Sequence, residues 1–266
     1  MNEALQIGVA LEANLIEQVR YYGKSPLVNL YDETNMIRMA TGLPVSTLNL
    51  IAGARLSENQ IEREIEAALT LFKRQKVPMI WWVGPTSLPI NLGSYLEQHG
   101  LEKVFDMLGM FYRLETLEEV ELPSEFTFKI VNNEKLLRIW AETQTRGFES
   151  DDAATDHIYK FEKSLGTSLD ALWLRYIGFM DNEPVGVSIL FQGAGVAAIF
   201  NVATVSEYRR HGIGTLMTKI PLLKAKALGY KYGVLKASPI GTHLYRAMGF
   251  NECGQIGLYY LPSKKD

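Results

Sequence analysis

Apolar residues recur at helical spacing at the start of the chain. Leu5, Val9, Leu15, Ile16 and Val19 form one stripe over residues 3–22, and Gly23 and Pro26 end it. Three short apolar runs follow at 27–31, 36–40 and 48–52, the first two joined by the hairpin-like turn Asp32-Glu33-Thr34-Asn35. Ser57-Glu58-Asn59-Gln60 has capping-box spacing, and Ile61, Ile65, Ala68, Leu69 and Phe72 then share one helical face. An apolar strand at 78–83, a short helix at 91–99 closed by Gly100, and one or two strands in 104–114 complete this half. Trp81-Trp82 reads as a core or interface anchor before an aromatic platform, and Gly84-Pro85 as a turn.

The acidic stretch from Glu115 to Glu125 carries Pro123 and little periodicity. The expected division is therefore a domain at 1–116, a linker at 117–125 and a domain at 126–266. The second half begins with a strand at 126–131. A helix with Leu136, Leu137 and Trp140 on one face runs to about Arg146, and a second helix covers 153–165. Strands at 172–180 and 184–191 flank the turn Asp181-Asn182-Glu183-Pro184. A strand at 196–205, a helix stopping at Gly229, a strand at 232–237, a short helix at 240–248 and closing strands in 250–261 follow. Pro221 falls inside the long helix, where it deletes a backbone bond and predicts a bend.

The strand at 196–205 runs into Arg209-Arg210-His211-Gly212-Ile213-Gly214-Thr215, where the next helix starts. Gly212 and Gly214 remove the side chains that would hold a ligand off the backbone. The first amides of a helix lack intrahelical partners and carry the positive end of its dipole, a geometry that can hold a phosphate. Arg209, Arg210 and His211 add donors beside it. Alone, a Gly-x-Gly at this place is either a tight turn or an anion site. Two phosphate loops are excluded: no Gly-x-x-x-x-Gly-Lys-Ser/Thr occurs, and Met217 stands where a dinucleotide fingerprint needs its third glycine.

Composition narrows the chemistry. The 266 residues are 47% hydrophobic and 21% charged, as in soluble globular proteins. With a net charge of −3 and no run of adjacent Lys/Arg larger than Arg209-Arg210 or Lys264-Lys265, no nucleic-acid partner is expected. His99, His157, His211 and His243 are scattered without metal-ligand spacing, so no metal is expected. The single cysteine, Cys253, allows no internal disulfide and fits a reducing compartment. Charges interrupt residues 1–20, and no apolar run approaches ~18 residues. A cytoplasmic protein with neither signal peptide nor membrane segment is expected.

Arg209-x-x-Gly212-x-Gly214 resembles the Arg/Gln-x-x-Gly-x-Gly/Ala signature of the GCN5-related N-acetyltransferase (GNAT) superfamily. Leu244-Tyr245-Arg246-Ala247-Met248-Gly249-Phe250 is similar to that family's Leu-Tyr-x-x-x-Gly-Phe segment, and the element order of about 125–261 is similar to the whole GNAT fold. The resemblance implies acetyl-CoA as co-substrate, its pyrophosphate held by the turn from Arg209 to Thr215. It implies that backbone amides of Val202, Ala203 and Thr204, on a strand splayed from its neighbour, face the acetyl carbonyl and pantetheine arm. It also places Tyr245 near the sulfur as general acid. The chemistry agrees: a departing thiolate gains by receiving a proton, and a phenol held close can donate it. The resemblance further implies a pantetheine contact seven residues before the tyrosine, where Ser238 replaces the usual asparagine. It implies an acceptor side in the loop 146–156, whose Glu149, Asp151 and Asp152 (with Asp156 beyond) form either a rim for a cationic amine or a solvated loop. No acidic residue lies on 196–205 to act as base.

The halves echo one another. Asn49-Leu50-Ile51-Ala52 parallels Asn201-Val202-Ala203-Thr204, Tyr95-Leu96…Gly100-Leu101 parallels Leu244-Tyr245…Gly249-Phe250, and Gly109-Met110-Phe111-Tyr112 parallels Gly257-Leu258-Tyr259-Tyr260. The first half has Ser57-Glu58-Asn59-Gln60 in place of the glycine turn, and Leu96 in place of the tyrosine. The expected fold is α/β in the α+β sense: two GNAT-like domains, each a mixed, mostly antiparallel twisted sheet flanked by helices, the first without the chemistry. The expected function is direct transfer of acetyl from CoA to a primary amine of a small-molecule or peptide acceptor in a ternary complex. The alternative is a non-catalytic acyl-CoA-binding sensor or regulator on the same scaffold.

Overall fold

The computed structural model describes residues 2–167 and 169–263, so the Lys264-Lys265 pair lies outside the described residues. The chain divides into two compact units. The first comprises Met1–Gly109, Lys236–Thr242 and Glu252–Asp266; the second comprises Met110–Leu235 and His243–Asn251.

In the first unit, α1 (Glu3–Tyr22) is capped by the Asn2 side chain, which accepts from Leu5 N at 2.9 Å. Strands β1 (Asn29–Asp32), β2 (Ile37–Ala40) and β3 (Asn49–Ala52) form an antiparallel meander. Helix α2 (Ile61–Gln75) then crosses over to β4 (Met79–Val83), which lies parallel to β3. Helix α3 (Leu92–Gln98) and β5 (Glu102–Arg113) follow. Ile65, Leu69, Phe72, Trp81, Leu92 and Leu96 are buried in one apolar cluster, so the tryptophan pair contributes Trp81 to the core as expected.

The second unit repeats this plan. Strands β6 (Phe126–Ile130), β7 (Trp173–Met180), β8 (Glu183–Gly193) and β9 (Val196–Thr204) form an antiparallel meander, with α4 (Glu134–Gly147) and α5 (Ala153–Ser164) between β6 and β7. Helix α6 (Ile213–Ala227) crosses over to β10 (Tyr232–Ala237), parallel to β9. Helix α7 (Thr242–Ala247) and β11 (Asn251–Leu261) end the chain. Pro221 is buried inside α6. A buried ion pair braces the unit. Arg175 and Glu162, with side chains 2% and 4% exposed, meet at 2.6 Å. Arg175 also donates to the carbonyls of Glu162 and Gly166, and Trp173 Nε1 donates to the same carboxylate. Such a pair is tolerable away from water only because its remaining donors are satisfied.

Two sequence expectations are corrected. β11 is one strand rather than several, and it pairs antiparallel with β4, from Gly257↔Val83 to Leu261↔Met79. The reason is in its side chains, since Tyr259 is buried among Trp81, Leu92 and Leu96. The expected one or two strands of 104–114 are the single strand β5, whose last residues belong to the second unit. The capping box does not form. Ser57 makes no side-chain cap; its N–H instead donates to the Glu64 carboxylate at 3.3 Å, which Asn35 also holds.

Two substitutions check this packing. The Tyr259 hydroxyl lies against Gly93 of α3, in the space a side chain there would need. Gly93→Ala is expected to cost about 1–3 kcal/mol by overpacking, read by urea denaturation. Glu12 of α1 is buried, and it accepts from Thr86 N at 2.7 Å while its second oxygen has no partner. Burial raises its carboxyl above the ordinary range against that hydrogen bond. A raised folded-state carboxylate favours the protonated native form, so this contribution falls as pH rises from the unfolded value toward the folded one. Glu12→Gln keeps an acceptor for Thr86, so denaturation midpoints at about pH 5 and pH 8 should lie closer together than in the wild type.

Candidate functional site

The site grows from the end of β9. Asn201 has φ of 50°, a left-handed conformation that asparagine tolerates better than most residues. The β8–β9 register slips there: Ile189 pairs with Phe200, but Val187 pairs with Ala203. This is a β-bulge, which bends the strand that carries it. The parallel register with β10 runs from Ala197 to Ile199 and ends before the bulge. Beyond it β9 keeps β8, through Ala203 and Thr204. Val202 and Thr204 are half-buried and Ala203 is buried.

After β9 a 3-10 turn (Ser206–Tyr208) leads into the glycine turn. Arg210 and Gly212 both have positive φ, 63° and 78°. The first amide satisfied within α6 is Leu216 N, bonded to Gly212 O at 3.1 Å. The amides of Ile213, Gly214 and Thr215 precede it and have no intrahelical acceptor. Glycine at 212 is required by backbone conformation, since a Cβ there would meet nothing within 4 Å. At 214 space is tight: a Cβ would lie 3.2 Å from the end of the Leu244 side chain and 3.7 Å from Thr204 Oγ1. Ile213 turns inward and lies over Gly186 of β8. His211 is exposed, with Nδ1 2.9 Å from Arg209 O. Arg210 is exposed.

Arg209 is differently placed. Its Nε donates to Thr204 O at 3.3 Å and one terminal nitrogen to Gly147 O at 3.0 Å. The other lies 2.7 Å from Glu149 Oε1. The guanidinium thus caps the C-terminal end of α4, where a cation is favoured by the helix dipole. Gly147 in turn packs on β9, since a Cβ there would lie 2.8 Å from Ala203 Cβ and 3.2 Å from Thr204 N.

Of the acidic loop, Glu149 therefore faces Arg209. Asp151 caps α5 by accepting from Ala153 N at 3.0 Å, and Asp156 pairs with Arg138 at 2.5 Å. Asp152 is exposed. Glu149 has φ of 53°. It closes α4 as a Schellman turn, with Glu149 N bonded to Arg146 O at 3.1 Å and Ser150 N to Thr145 O at 3.0 Å. Glycine is the usual residue at such a position, and a side chain there costs about 1 kcal/mol.

Tyr245 of α7 is buried, at 8% exposure, with its ring edge-on to Phe250 at 5.6 Å. Its hydroxyl bonds to Thr218 of α6, whose own Oγ1 donates to Gly214 O at 2.8 Å. Burial pushes the phenol up to about 12. At neutral pH it keeps its proton. Thr218 therefore joins Tyr245 to the first turn of α6, a role that its place among apolar helix residues conceals in the sequence. Ser238 belongs to the segment that clusters with the first unit; its hydroxyl accepts from Gly241 N at 3.2 Å and its carbonyl from Thr242.

Residues 134–250 match the family model described as Acetyltransferase (GNAT) family. The chain carries a GNAT domain. Its fold is shared by solved GNAT proteins. A GCN5-related N-acetyltransferase from Kribbella flavida superposes with a TM-score of 0.72 at 18% identity, over 99% of this chain and 97% of the other. One from Sphaerobacter thermophilus gives 0.61 at 15%, over 99% and 93%. A tandem GNAT protein from the clavulanic acid biosynthesis pathway gives 0.60 at 11%, over 96% and 88%. No curated protein sequence matches the chain. Among the described residues no group of three or more potential metal ligands occurs, and no helix is long and apolar enough to cross a membrane.

The turn itself is open to test. Gly212→Ala must hold a side chain at φ of 78°, at a cost of about 1 kcal/mol. The expected result is a loss of that size in the stability of the second unit, read by urea denaturation.

Proposed function

We propose that this chain transfers an acetyl group from acetyl-CoA to a primary amine, by direct attack within a ternary complex. The observation that carries the proposal is the start of α6: three amides without intrahelical acceptors, behind a turn with two left-handed residues, and tied through Thr218 to a protonated, buried tyrosine. In this reading the amides of Gly212 to Thr215 hold the pyrophosphate, with Arg210 and His211 beside them. The bulged end of β9 offers the amides of Val202, Ala203 and Thr204 to the acyl carbonyl. Such donors act by stabilising the oxyanion that develops on attack. The amine lone pair forms the new C–N bond as the C–S bond breaks; Tyr245 gives its proton to the departing thiolate, and the surplus proton on the new amide nitrogen returns through water to the tyrosinate. With no acidic residue on β9, the acceptor enters as a free amine or loses its proton through water. A small-molecule or peptide amine is proposed as acceptor, in a cytoplasmic setting, with Asp152 as the exposed carboxylate of the acceptor loop. Ser238 is retained as a pantetheine contact in this reading.

A second reading, a non-catalytic acyl-CoA-binding protein, is favoured by one observation: the Tyr245 hydroxyl is already bonded to Thr218. Thiol release from acetyl-CoA across a panel of polyamine, aminoglycoside and amino-acid acceptors separates the two. Turnover in the wild type, with kcat reduced roughly 100-fold in Tyr245→Phe and CoA affinity unchanged, is the expected result. CoA binding without turnover across the panel would favour the sensor. The pH profile adds a second check. Because Tyr245 titrates at about 12, it remains an acid throughout the working range. Hence kcat/KM should rise with pH as the acceptor amine loses its proton and show no descending limb below about pH 10.

A further inference from the structure

The resemblance that assigns the donor turn also casts Arg209 as a phosphate ligand and Glu149 as part of an amine-binding rim. The geometry points to a different division of labour, in which the two serve each other. We propose that Arg209 and Glu149 form a latch that holds the loop after α4 against the donor turn, with Arg209 acting as a positioning residue and not as a phosphate ligand. The inference rests on the acyl-transfer reading for its functional meaning, and on geometry for its existence.

Four observations carry it. All three guanidinium nitrogens of Arg209 are engaged by protein oxygens: Thr204 O at the end of β9, Gly147 O at the end of α4, and the Glu149 carboxylate. Glu149 occupies a left-handed position where glycine is easier, so backbone ease does not explain a glutamate there. Its side chain does, because this conformation accompanies the 2.7 Å approach to Arg209. Gly147 lies so close to Ala203 and Thr204 N that the loop and the strand end must move together. Finally, Arg146 stands 3.9 Å from Glu207, a second pairing between the same helix end and the segment leading into the turn. The pair itself is exposed, at 45% and 61%, so salt screens it and its strength alone is small. Its importance lies in what it connects: the expected acyl cradle, the expected acceptor loop and the first residue of the pyrophosphate turn. Under this arrangement Glu149 does not bind the incoming amine, and loosening the latch raises the acceptor KM before it touches donor binding.

The test uses five full-length proteins: wild type, Glu149→Gln, Arg209→Ala, Arg209→Lys and the double variant of Glu149→Gln with Arg209→Ala. Amide hydrogen exchange is followed over residues 147–152, and CoA itself is titrated calorimetrically. The latch requires exchange in this segment to quicken by about fivefold or more in each single variant. The double variant should be no faster than Arg209→Ala, because one interaction cannot be lost twice. Glu149→Gln should leave the CoA Kd within about threefold of wild type, and Arg209→Lys should restore part of the protection lost in Arg209→Ala. Two results would overturn the proposal. One is unchanged exchange in Glu149→Gln. The other is a CoA affinity that falls more than about tenfold in Arg209→Ala while rising in Glu149→Gln, the signature of a phosphate ligand freed from a competitor. A wild type that fails to bind CoA would defeat the donor reading, while the exchange comparison would still decide the latch.

Discussion

A backbone N–H can satisfy one acceptor well, and the two units use the ends of their parallel strands in opposite ways under that constraint. In the first unit the chain beyond β3 and β4 stays joined: Leu88 N bonds Ala54 O and Leu56 N bonds Leu88 O, both at 2.9 Å. The amide ahead of α2 is also taken, by the Glu64 carboxylate on Ser57 N. In the second unit the register between β9 and β10 ends at Ile199, a bulge follows at Asn201, and α6 begins on amides without intrahelical partners. The same plan of meander, crossover helix and parallel strand therefore keeps the strand ends joined in the first unit and ends their register at a bulge in the second.

That contrast gives physical content to the idea of a degenerate first half. The equivalence between halves is visible in detail. Gly100 and Gly249 both have positive φ, and each closes its short helix through the same pair of bonds: Leu101 N to Leu96 O with Gly100 N to Glu97 O, and Phe250 N to Tyr245 O with Gly249 N to Arg246 O. The helix end is kept, and the side chain four residues before the glycine differs, an apolar leucine in one half and a phenol in the other. The backbone geometry is shared between the halves, and the polar group is present in only one of them.

Much of this was legible along the chain. Apolar periodicity located nearly every helix and strand, because burial of one face is a local requirement with a local signature. Gly212 and Gly214 marked the turn, since a positive φ at 212 disfavours side chains and the Leu244 side chain crowds 214. Other features had no local signature. Thr218 looks like one more residue in an apolar helix until Tyr245 is seen to bond it. The capping box at Ser57 had the right spacing, yet Glu64, one turn further on, took the amide. Asn201 reads in the sequence only as the start of the repeated Asn201-Val202-Ala203-Thr204 segment; its left-handed backbone conformation is its contribution.

By itself the sequence determined the element order, the anion-ready turn and the tyrosine that follows it, because each depends on residues close together in the chain. Which unit claims β11, and which oxygens claim Arg209, was decided only in three dimensions. Strand partners and ion pairs are chosen among groups far apart in sequence. There, buried area and free hydrogen-bonding atoms settle the outcome: Tyr259 finds its cavity beside Trp81, and Arg209 finds Glu149, Gly147 and Thr204.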